Sequence, residues 1–139
     1  MNKYRKYMEY KHDYMGINCI SLIDQIYKEE LGITHFDTLW KILDFPEGKA
    51  NMGRAWIKKV TFEKIDEWAT QYAKKVSLTK AREYDVIVFK SRSGRPFHFG
   101  MCIGGGRFIH VQQDSYVMID YITSWIDSVH LVYRSNEMV

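Results

Sequence analysis

Cysteine and proline are scarce in this chain of 139 residues, with two of each, and each scarcity excludes something. Two cysteines allow one disulfide at most, not the framework that holds a small secreted domain together. With prolines only at positions 46 and 96, and no glycine- or serine-rich tract, nothing marks a linker between domains. Charge of one sign is also lacking: 20 basic residues face 17 acidic ones, a net +3. That balance makes no case for nucleic acid as a partner. No apolar run approaches the length of a membrane helix, and the segment from Met1 to Lys6 lacks a signal peptide's apolar core. The expectation is a chain that neither inserts in a membrane nor leaves its cell by the general secretory route.

What is present is apolar and aromatic. Hydrophobic residues make up 46% of the chain and aromatic ones 15%, enough for one domain, residues 1–139, with a real core. Tyr4, Tyr7 and Met8 have helical spacing among basic residues. Residues 1–13 therefore read as an arm, either packed on its own domain or docked on a neighbour. Asn18 is a good N-cap and Gly32 a good C′ residue. Between them Cys19, Leu22, Ile23, Ile26 and Tyr27 form one apolar stripe. Residues 34–80 read as a helical insertion, with Asp37 and Thr61 as caps and Trp40, Trp56 and Trp68 as core or groove residues. From Tyr84 the period changes to that of strands: 85–89, 97–103, 107–112, 116–120 and 130–134, with a helical turn over 122–127. Helices first, then an antiparallel sheet of about five strands, is an α+β order.

Three residues carry chemistry. Cys19 opens a helix, where free amide groups and the macrodipole favour a thiolate at an accessible rim. His98 and His110 lie on consecutive strands around Gly104-Gly105-Gly106. With a three-residue loop, Ile103 faces Arg107 and Gly100 faces His110, so both imidazoles share a face as diagonal neighbours. Gly100 would then leave room for the helix end that carries Cys19. A two-residue loop would put the rings on opposite faces. A thiol with two imidazoles suits a nucleophile, its base and an orienting group. Cys102, mid-strand, reads as a small buried hydrophobe. No metal is expected, because no second cysteine or carboxylate stands in a ligand position, and no cofactor is implied. His12, His35 and His130 have no nameable partner and are expected at the surface.

These segments resemble the NlpC/P60 family of papain-like cysteine peptidases. Asn18-Cys19-Ile20-Ser21-Leu22-Ile23 is similar to the family's Asp-Cys-Ser/Trp-Gly-Leu-Val box. Tyr84 to Phe89 resembles its Gly-Asp-Leu-Val-Phe strand, His98-Phe99-Gly100-Met101 its His-Val-Gly-Ile strand, and Phe108-Ile109-His110-Val111 its Phe-Ile-His-Ala strand. The resemblance implies a catalytic set of Cys19 as nucleophile, His98 as base and His110 as orienting member, with Tyr14 as the substrate-side tyrosine upstream. It implies hydrolysis of amide bonds in peptidoglycan peptides. Tyr27 to Ile33 is similar to short phage-encoded members, which implies a virion location with other phage tail proteins as partners. The sequence departs from the family at Asn18, Ile20 and Ser21. A non-catalytic tail domain that keeps the same fold is the competing expectation.

Overall fold

The computed structural model describes residues 2–12, 18–38 and 61–138. Tyr14, the expected helix near 39–43, the basic stretch at 48–59, Trp40 and Trp56 lie outside these residues.

The helix at Cys19 starts where the sequence predicts, and for a stronger reason. Asn18 accepts from the amides of Ile20 (3.1 Å) and Ser21 (3.0 Å), while Ser21 Oγ accepts from the Asn18 amide at 2.8 Å. Ser21, a departure from the family box, thus closes a capping box. Helix α1 runs Cys19–Ile26 and continues as a π-helical turn, Tyr27–Leu31, ended by Gly32 in the left-handed region at φ 67°. Its stripe of Leu22, Ile23 and Ile26 is fully buried.

Among the described residues six strands, where about five are expected, form one sheet: β1 (Ala73–Val76), β2 (Val86–Lys90), β3 (Pro96–Gly104), β4 (Arg107–Val111), β5 (Val117–Tyr121) and β6 (Val129–Ser135). The order is β1-β6-β2-β3-β4-β5, and every pair of neighbours is antiparallel. The extra strand β1 falls inside the segment read as helical. Helix α2 (Phe62–Tyr72), capped by Thr61, runs straight into it. Its Lys74 and Lys75 are exposed, so it has none of the burial by which a strand is read; lysines are typical of an edge.

Two layers of core follow from strand alternation. On one face Val86, Val88, Phe99, Met101 and Ile109 pack against α1, with Tyr4 and Tyr7 of the N-terminal 3-10 segment (Asn2–Glu9) in the same cluster. The arm is therefore seated on its own domain, with the Tyr4 hydroxyl donating to Glu83 at 2.5 Å and Lys3 paired to the same carboxylate at 2.7 Å. On the other face Ile87, Phe89, Cys102, Phe108 and Val132 form a smaller cluster, covered by Trp125 from a 3-10 segment (Ile122–Ser128). His35, expected at the surface, is buried and stacked on Tyr72 with centroids 5.2 Å apart. Its Nδ1 lies 3.2 Å from Glu137. Phe36, Trp68 and Tyr72 surround the ring, and that aromatic setting outweighs the solvation of one imidazole. Trp68 is core, and His130 lies half-buried against Phe62 at 3.7 Å.

One buried ion pair ties the strand side together. Asp85 has no exposed surface; Arg134 donates to it from Nε at 2.9 Å and from Nη2 at 2.7 Å, and the Arg82 amide adds a bond at 2.9 Å. Removing one partner of such a pair strands the other charge without water. Arg134→Met should lower stability by about 3–5 kcal/mol in urea unfolding. Asp85→Asn with Arg134→Met should recover part of that loss; equal midpoints for wild type and Arg134→Met would show that the pair contributes nothing.

Candidate active site

The β3–β4 hairpin decides where the histidines point. Its turn is Gly105-Gly106, both at positive φ (64° and 73°), closed by Gly104 opposite Arg107. That is the two-residue loop that would separate the rings. A register shift between Cys102 and Gly104, with Ile103 as the extra residue, restores the parity: Cys102 faces Phe108 and Met101 faces Ile109. Extending that register sets Gly100 opposite His110, as a three-residue loop would have done.

His98 and His110 are accordingly on one face and in direct contact, Nε2 to Nδ1 at 2.7 Å. The pair is buried, His98 at 5% exposure and His110 at none. Trp125 lies over both, stacked on His98 (5.7 Å, 27°) and edge-on to His110 (5.2 Å, 83°). A third partner escaped the sequence reading: Asp120 on β5, whose Oδ2 is 2.7 Å from His110 Nε2. His110 faces Met118 across the strands, and Asp120 is two residues further on the same face. An alternating strand that ends in an outward carboxylate looks like an ordinary solvated position, so nothing local distinguishes Asp120.

Cys19 belongs to the other layer. The backbones of Phe99 on β3, and of Cys19 and Ile20 in the first turn, are the polar groups that act on its thiol and favour the thiolate. The ladder between β3 and β4 ends at Met101↔Ile109, and Phe99 lies beyond it. The thiol thus meets the sheet at the residue after His98. The space at Gly100 is not used by the helix: an added Cβ would lie 2.7 Å from Phe108 Cδ2 and 3.2 Å from Phe89 Cε2. Gly100 makes room for the aromatic rings beneath the histidines instead. Among the described residues, no group of His, Cys, Asp and Glu side chains is arranged to hold a metal ion. No helix among them is long and apolar enough to cross a membrane.

Burial sets the protonation states. It pushes the Cys19 thiol up to about 12, against the lowering effect of the three backbone groups, and only 5% of the residue is exposed. The accessible, acidified thiol expected from the helix start is therefore overridden by desolvation. Burial, followed by repulsion from His110 and His12, holds His98 down to about 3. Burial also lowers His110, while Asp120 opposes the shift. At rest the thiol and the imidazoles are neutral. Cys102, buried in the opposite layer, is also pushed up to about 12, with desolvation the main cause.

Next to Trp125 a cavity of about 410 Å³ is lined by Lys90, Ser91, Arg92, Ser124 and Asp127 among others. Trp125, which packs on both histidines, is itself among the lining residues.

A pH dependence of stability follows. In the unfolded chain these histidines take up protons below about 6.5. In the native state His98, His110 and His35 resist protonation. Their stabilising contribution is complete above the unfolded value and is lost as pH falls toward the folded values. Urea midpoints should therefore drop between pH 7 and pH 4, with His98 alone contributing on the order of 3 kcal/mol. His98→Asn should flatten part of the slope; an unchanged slope would show that this ring is not held neutral.

Residues 5–134 match the NlpC/P60 family. Among solved structures, the chain superposes on the NlpC/p60 domain of the peptidoglycan hydrolase SagA with a TM-score of 0.58 at 16% identity, covering 96% of this chain and 93% of that one. A protein described as similar to lipoprotein, NLP/P60 family, from Staphylococcus aureus subsp. aureus Mu50, gives 0.58 at 19% identity over 96% of this chain. The chain spans only 39% of that protein's length. No curated protein sequence matches it. Both superpositions carry the α+β fold alone, and it is the sequence match over nearly the whole chain that assigns it: the chain belongs to the NlpC/P60 family.

Proposed function

We propose that the protein is a cysteine peptidase that hydrolyses amide bonds in bacterial cell-wall peptides. One observation carries this reading: a capped helix start sets a thiol against the backbone of Phe99, the residue after His98, whose imidazole is bonded to a second imidazole. Family membership supports the reaction class. In this reading Cys19 gives its proton to His98 as the sulfur attacks the amide carbon. The positive end of the helix favours the developing oxyanion. His98 then protonates the leaving amine as the C–N bond breaks, and next deprotonates the water that releases the acyl group from sulfur. A neutral thiol–imidazole pair suits this order, since charge forms only as the proton moves. The cavity beside Trp125 lies on the imidazole side, where the leaving amine departs. Its Lys90 and Arg92 suit a carboxylate-bearing peptide segment there.

We further propose that the domain works within a phage tail particle, at the virion. Likeness of the segment from Tyr27 to Ile33 to short phage-encoded members supports this. So do Tyr10, Tyr116 and Tyr121, exposed at 39%, 56% and 61%, which offer surface to a neighbour although Tyr4 and Tyr7 are taken up internally. Sizing of the protein in purified virions against a free monomer tests it; absence from virions would overturn it.

Digestion of isolated cell walls, read by mass spectrometry of the released peptides, tests the activity. Cys19→Ala should abolish release, and Cys102→Ala should leave it largely intact. His98→Ala should cost nearly as much as losing the thiol, because members of one catalytic unit are not additive. His110→Ala should cost less. No release from any of these proteins, across several wall chemistries, would favour a structural tail domain. Where release occurs, replacing Lys90 and Arg92 together by serine should raise KM for peptides with a free carboxylate by about 5-fold, the scale of exposed ion pairs. An amidated peptide should show no such change.

A further inference from the structure

A histidine in the orienting position raises a question that an amide side chain would not. A neutral imidazole can present either a proton or a lone pair to its neighbour, depending on its tautomer. If His110 offered a proton from Nδ1, His98 would have to accept it on Nε2. The remaining proton of His98 would then sit on Nδ1, the one ring nitrogen outside the His98–His110–Asp120 chain. A base in that state cannot take the thiol proton. Something must choose between the two arrangements.

We infer that Asp120 makes this choice and sets the tautomer of His98 across His110. An ionised carboxylate only accepts, so the 2.7 Å contact with Asp120 Oδ2 requires the His110 proton on Nε2. In a neutral ring Nδ1 is then bare and can only accept. The 2.7 Å contact between the rings therefore requires the His98 proton on Nε2. His98 Nδ1 then carries no proton. Of the four tautomer combinations open to two neutral rings, this is the one in which both short contacts join a donor to an acceptor. Trp125 packs on both rings, which opposes a flip that would swap the nitrogens. Asp120 is a positioning residue: it lies two rings from the reacting atoms, with its side chain 35% exposed at the rim.

This inference rests on the peptidase reading for its purpose, but its test does not. Nitrogen-15 NMR of the histidine side chains, in the whole resting protein at neutral pH, reports which ring nitrogen carries each proton. Wild type should show His98 and His110 both protonated at Nε2. Asp120→Ala should let water meet His110 Nε2 as donor or acceptor, and His98 should become a mixture of tautomers. Asp120→Asn, whose amide oxygen can still accept, should fall between the two. On a cell-wall peptide, Asp120→Ala should lower kcat by about 10–100-fold with KM little changed. That is less than the roughly 10⁴-fold attached to a carboxylate one ring from the nucleophile. A wild-type His98 protonated at Nδ1, or tautomers unmoved in a folded Asp120→Ala, would overturn the inference. Shifted tautomers with no hydrolysis by any protein would leave it standing and sink the peptidase reading instead.

Discussion

One residue in excess on one side of a hairpin decides whether this site exists. Side chains alternate along a strand, so a slip of one between β3 and β4 would turn His110 to the opposite face of the sheet from His98. The Gly105-Gly106 turn alone would impose that slip. The extra residue at Ile103 cancels it, and the two imidazoles then come within 2.7 Å. Everything built on that contact depends on the same bulge: the packing of Trp125 over both rings, the carboxylate on β5, and the meaning of the thiol beside Phe99.

The site joins two layers of the fold. Cys19 is part of the core between α1 and the sheet, whereas the histidines sit over the smaller cluster on the other face. Phe99 connects them: its side chain packs with the helix layer, its backbone acts on the thiol, and the residue before it supplies the imidazole. Placing the proposed nucleophile at such a junction puts it on a helix and the imidazole on a strand, with no loop carrying either, which suits pre-organised chemistry. It also buries them. Burial keeps the thiol and the imidazoles uncharged, so the electrostatic advantage of the helix start is outweighed by desolvation.

Local chemistry made several features legible in the sequence. Asn18 and Gly32 mark the helix because a cap and a left-handed residue act within one turn of their own positions. The strands from Val86 onward show through their apolar content, and the triple glycine shows the hairpin. Cys19, His98 and His110 stand out because each lies in a recognisable local setting. Elsewhere the local signal was too poor. Strand β1 has two exposed lysines and follows a helix without a break, so nothing in its own residues separates it from that helix. His35 reads as a surface residue because two of the rings that enclose it, Trp68 and Tyr72, are more than thirty residues away in sequence.

The sequence by itself determined the helix cap and the α+β order and singled out the candidate thiol and imidazoles, since each follows from residues within a turn or a strand of one another. Only the tertiary structure decided their state and their connections. The parity of the hairpin depends on a bulge that three glycines do not specify. Asp120 joins the imidazoles through a third strand. The thiol is neutral because packing removes water from it, and desolvation is a property of the assembled layers, not of the segment that carries the sulfur.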